Sequence, residues 1–120
     1  MSTVIPILRI FDLAKAKEFY IDWLGFRKNW EHRFDDNAPI YLEIQLLDMR
    51  LHLSEHHGDG SPGIQIMIED FANIEAFHQA ITDKNYRYNR PGLEKAFWDT
   101  NIKTVSVIDP FGNRIMFTGK

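Results

Sequence analysis

The sequence predicts an α+β chain of two tandem modules, each running strand, helix and three further strands, whose curved sheets surround a cleft. Three observations carry that expectation. Short apolar segments alternate with polar residues in both halves, one helical period follows the first strand of each half, and the order restarts after a loop. At an offset of 58 residues, Asp12 answers Asp70, Leu13 answers Phe71, Ala14 answers Ala72 and Phe19 answers Phe77.

Each element has its own local signal. Residues 4–10 (VIPILRI) read as a strand, with Pro6 marking an edge because proline cannot donate to a ladder. Asp12 then precedes Leu13, Ala16, Phe19, Tyr20, Trp23 and Leu24 at helical spacing, and Gly25 ends the helix. RKNWEHRF, APIYLEIQLL and MRLHLSE are shorter alternating segments, the last two joined by a tight turn near Asp48. GDGSPG is a loop by composition. Beyond it GIQIMIED reads as a strand, Asp70 takes the place of Asp12 and FANIEAFHQAIT repeats the helix. YRYN, KTVSVID and RIMFTG then supply the strands, with DPFGN as the turn before the last. The expected organisation is a single domain over 1–120, with module one at about 1–57, a linker at 58–62 and module two at about 63–120.

Composition narrows the partners. The chain has 120 residues, 44% hydrophobic, enough for one compact core. Its 14 basic and 17 acidic residues give a net charge of -3 without a long run of either sign, which points away from nucleic acid. With no cysteine, disulfides and thiolate chemistry drop out. The opening turns charged before a signal-length apolar segment forms and no later stretch could span a bilayer, so the expectation is a cytoplasmic protein without membrane contact.

Three segments carry a family pattern: EFYIDWLGF (18–26), RLHLSEHHGDGSPG (50–63) and VIDPFGNRIMF (107–117). Together they resemble the vicinal-oxygen-chelate superfamily of glyoxalases, bleomycin-resistance proteins and dioxygenases, closest to the bleomycin-resistance proteins, over essentially the whole chain. That resemblance implies a homodimer that sequesters a glycopeptide drug or related small molecule in a cleft at the dimer interface and catalyses nothing. The superfamily's metalloenzymes take two ligands from each module. Carried onto this chain, those positions are Ile5, His52, Ile64 and Met116. Three of them are apolar or a weakly binding thioether, so neither a metal nor another cofactor is expected. A metal-dependent lyase, isomerase or dioxygenase is the alternative, and a small structural or regulatory dimer the third.

The candidate ligand-binding residues follow from what a large, cationic, partly aromatic molecule needs: flat rings and carboxylates. His52 alternates with Leu51 and Leu53, so it faces away from the helix if those leucines lie beneath it. Glu43 alternates with apolar neighbours in YLEIQL. Phe97, Trp98 and Asp99 form an aromatic and acidic group in a loop. Trp30 and His32 share one face of their strand, with Asn29, Glu31 and Arg33 on the other, and one of these two sets is expected to face the cleft.

Overall fold

A computed structural model describes residues 2–120, which divide into two compact units. The first comprises residues up to Ile64 with the turn Pro110–Asn113, and the second Gln65–Asp109 with Arg114–Lys120. Among the described residues no helix is long and apolar enough to cross a membrane.

The first unit holds β1 (Ile7–Arg9), α1 (Leu13–Lys17), β2 (Arg27–His32), β3 (Tyr41–Leu46) and β4 (Met49–Ser54). Its sheet has the order β1-β4-β3-β2, parallel between β1 and β4 and antiparallel elsewhere. Leu8, Leu42, Ile44, Leu51 and Leu53 lie on one face and are fully buried with Phe19, Tyr20 and Trp23 of the helix. Each such side chain contributes about 1.5–3 kcal/mol through burial. The expected cap is present, since the Asp12 carboxylate accepts from Lys15 N at 3.1 Å.

The helix changes character where its apolar residues cluster. After Lys17 it continues as a π-helical segment, Glu18–Trp23, in which Leu24 N donates to Phe19 O, five residues back, at 3.0 Å. Phe19, Tyr20, Trp23 and Leu24 all lie on the buried side of this wider turn. Gly25 closes it at φ +92°, a conformation that costs glycine little.

β2 contains a bulge. Lys28 pairs with Ile44 and Trp30 with Glu43, leaving Asn29 as the extra residue. The expected alternation therefore fails here: Asn29 joins Trp30 on one face. Lys28 and Glu31, three apart, meet on the other in an ion pair of 2.5 Å. The tight turn expected near Asp48 is present; it includes Leu47, held at φ 56° while its carbonyl accepts from Gln45 Nε2 at 2.8 Å.

The second unit repeats the topology with β5 (Gln65–Ile68), α2 (Ile74–Asp83), β6 (Glu94–Lys95), β7 (Lys103–Ile108) and β8 (Arg114–Gly119) in the order β5-β8-β7-β6. Val105, Val107, Ile115 and Phe117 are buried with Phe71, Ile74 and Ile81. Phe71 N donates to Thr118 O at 2.8 Å. That approach requires Gly119, because a Cβ there would stand 2.3 Å from Phe71 O. Two expectations change. Asp70 does not cap α2: it has φ 56°, and the helix starts later, after Asn73, also in the left-handed region. YRYN is turn rather than strand, and the edge of this sheet is the two-residue β6.

Candidate functional site

The first sheet buries one face against its helix, while the side chains of its other face range from buried Glu43 and Ser54 to exposed Trp30 and His32. Register decides which side chains share that second face. Leu51 and Leu53 are 1% exposed, which turns His52 the opposite way, as its alternation predicts. His52 lies opposite Ile7 on one side and Glu43 on the other, and Glu43 lies opposite Trp30. The adjacent row runs Arg9, Ser54, Tyr41, His32. Three of the sequence-predicted residues, Trp30, Glu43 and His52, are thus assembled by three strands into one cluster.

The cluster is hydrogen-bonded throughout. His52 Nε2 lies 3.0 Å from Glu43 Oε1, and His52 Nδ1 lies 2.6 Å from Tyr41 Oη. A carboxylate only accepts, so Nε2 carries a proton and donates to Glu43; in the neutral imidazole Nδ1 then accepts from the Tyr41 hydroxyl. Asn29 Nδ2 donates to Glu43 Oε2 and to Gln45 Oε1, both at 2.9 Å. Arg50 approaches Glu43 at 3.6 Å. Above this network the Trp30 and Tyr41 rings lie nearly parallel, 10° apart with centroids at 5.9 Å, and Trp30 meets the His52 ring edge-on at 5.3 Å.

Electrostatics follow from these bonds. The Asn29 amide first, then His52 and the Arg50 charge, hold the Glu43 carboxyl below its ordinary value despite partial burial that acts the other way. Burial pushes the Tyr41 phenol up, reinforced by the charges of Asp59 and Glu43, so it remains a hydroxyl. At neutral pH the cluster presents one carboxylate, one phenol and an exposed indole.

The remaining predicted residues are placed differently. His32 shares the face of Tyr41, but its ring packs edge-on against Phe34 at 4.7 Å. Phe97, Trp98 and Asp99 belong to the second unit, where the two rings form an edge-on pair at 4.9 Å and are 96% and 45% exposed. The Asp99 carboxylate accepts from Asn101 N at 2.9 Å and so shapes its own turn. The second unit also carries a depression of about 290 Å³ beside α2, where His78 Nε2 donates to Pro91 O at 2.8 Å.

Sequence reasoning passed over Tyr41 and Gln45 as parts of the site and set Asn29 on the face opposite Trp30. Counting outward from the turn at Leu47 and Asp48 pairs Glu43 with His52 and sets Tyr41 diagonal to it, so that signal was present. The bulge at Asn29 had none.

A family model described as glyoxalase superfamily protein matches residues 1–120. The chain belongs to the glyoxalase superfamily. Solved structures similar to this superfamily member include a bleomycin-binding protein in complex with bleomycin, at 18% identity and a TM-score of 0.73, covering 100% of this chain and 99% of the other. An antibiotic-binding protein from a Streptomyces species matches at 18% identity and a TM-score of 0.72, covering 99% and 96%. A glyoxalase/bleomycin resistance protein/dioxygenase superfamily member from Sphaerobacter thermophilus matches at 19% and 0.66, covering 100% and 98%. At such identities the likeness is one of fold. A comparison with curated protein sequences gives no match.

The catalytic metal of this superfamily's enzymes does not fit the residues present. Both ring nitrogens of His52 are engaged by Tyr41 and Glu43. Its neighbour on β1 is Ile7, and Met116 lies opposite Met67. Among the described residues no group of three or more histidines or acids is arranged to hold a metal ion.

Proposed function

We propose that this superfamily member is a non-catalytic binding protein that sequesters a glycopeptide antibiotic of the bleomycin type, or a chemically related molecule, as a homodimer. The observation that carries the reading is the flat Trp30–Tyr41 pair set beside the Glu43 carboxylate on the sheet face opposite the buried leucines. A bleomycin-like molecule has planar heterocycles and a cationic end. Parallel rings receive the former, and a carboxylate held ionised attracts the latter. The bleomycin-binding and antibiotic-binding proteins of the same fold support the ligand class. Ligand contact by Phe97, Trp98 and Asp99, whose rings stand exposed on the second unit, is part of the same proposal.

Calorimetric titration of metal-analysed protein with metal-free bleomycin tests it. Binding at micromolar affinity or tighter, one site per subunit, is expected, with Trp30→Ala and Trp98→Ala each weakening it by roughly tenfold, the scale of one lost aromatic contact. Absence of heat at several temperatures from folded protein would discard drug sequestration.

A further inference from the structure

We infer that the Tyr41–His52–Glu43 chain fixes the polarity of the ligand site, making Tyr41 an obligate hydrogen-bond acceptor that selects ligands bearing an N–H or O–H donor beside a planar ring. The inference rests on the proposed binding role and adds to it the chemistry of the group that Tyr41 recognises.

The argument starts from Glu43, whose carboxylate can only accept. It therefore takes the proton on His52 Nε2 at 3.0 Å. A neutral imidazole with that proton in place has a lone pair at Nδ1. Tyr41 Oη, 2.6 Å away, must supply its hydroxyl hydrogen there. No other group among the described residues hydrogen-bonds to Tyr41 Oη, so its lone pairs are what the oxygen has left to offer. An ordinary tyrosine hydroxyl rotates to suit its partner, donating or accepting as needed. Here its rotor is set by a carboxylate two bonds along the chain.

That carboxylate is itself fixed. Asn29 Nδ2 holds Glu43 Oε2 from the bulge of β2 and Gln45 from the next position of the same strand face, while Arg50 stands by Oε1. The direction of the chain therefore originates in the bulge and ends at the phenol. The planar requirement comes from Trp30, stacked on Tyr41 and 42% exposed. On this inference a ligand ring laid on Trp30, whose ring centroid is 5.9 Å from that of Tyr41, reaches the phenolic oxygen with its polar edge. A donor there completes a bond, whereas an acceptor there meets lone pairs and forfeits one.

Indole and quinoline test this at pH 8, since both are neutral planar bicycles, the first with an N–H donor and the second with a bare acceptor nitrogen. Dissociation constants are read from NMR shifts of the Trp30 and His52 ring protons. Indole is expected to bind the unaltered protein roughly tenfold more tightly, the scale of one hydrogen bond kept or lost. Tyr41→Phe should erase the preference. His52→Leu, which frees the hydroxyl hydrogen, should move it towards quinoline. Equal affinities in the unaltered protein, a preference for quinoline, or a preference untouched by Tyr41→Phe would overturn the inference; the first two need no variant to fold. Bleomycin binding without donor preference would remove the polarity assignment alone. Donor preference without bleomycin binding would remove the antibiotic reading alone.

Discussion

Glu43 is the residue on which the site turns, because Asn29, His52 and Arg50 converge on one side chain that is 9% exposed. Its ordinary value is 4.5, and the fold lowers it, chiefly through Asn29 and then His52. The sign of the linkage follows: the folded state prefers the charged form, so the contribution to stability is complete above the ordinary value and declines as pH falls through the lowered one. Glu43→Gln cannot titrate. The stability advantage of the unaltered protein over that variant should therefore be full near neutral pH and shrink below about pH 4.5, as measured by urea unfolding across pH. Asn29→Ala should raise the Glu43 carboxyl towards 4.5 in an NMR titration of its carboxyl carbon. At this scale the sequence was legible where alternation decides orientation. Leu51, His52 and Leu53 sort themselves by period alone. It was silent about Asn29, since the inserted residue of a bulge is recognised from the partner strand's register and not from its own neighbours.

The two helices show how far a repeat extends at the level of elements. Asp12 and Asp70 occupy equivalent places in the sequence, yet only Asp12 caps a helix. The second helix begins after Asn73 and its N-cap makes no side-chain bond. Asp12→Ala should accordingly cost about 1 kcal/mol in thermal unfolding, the usual loss for an N-cap, while Asp70→Asn, which keeps a residue tolerant of positive φ, should leave stability within about 0.5 kcal/mol. An equal loss at both positions would contradict the assignment. The apolar spacing of residues 13–24 announced a helix but not its π-helical second half. The same residue spacing fits one face of an α-helix, so it carried no signal for the wider turn. YRYN failed as a strand for a different reason: its aromatic residues satisfy one another, with Tyr86 and Tyr88 edge-on at 5.5 Å, without a partner strand.

For the molecule as a whole, the strand order β1-β4-β3-β2 recurs as β5-β8-β7-β6, which is the duplicated topology read from the 58-residue offset. Periodicity and turn chemistry suffice for that much because they are local. What covers the helix-free face of each sheet is a long-range matter, and the proposed answer is a second copy of the chain. Sedimentation equilibrium at micromolar concentration should then return about twice the 14.1 kDa chain mass. A monomer under those conditions would end the dimer proposal while leaving the fold and the first-sheet cluster as they are. The bulge in β2 bears on a different hazard. This strand lies at the edge of its sheet with every residue exposed, a row of backbone donors and acceptors that could recruit an identical strand from another molecule. One inserted residue breaks the evenness of that row, and Arg27, Lys28 and Glu31 set charges along it. The asparagine that orders a carboxylate on one side of the strand is thus also a break in the strand's free margin, of the kind that disfavours pairing with an identical strand.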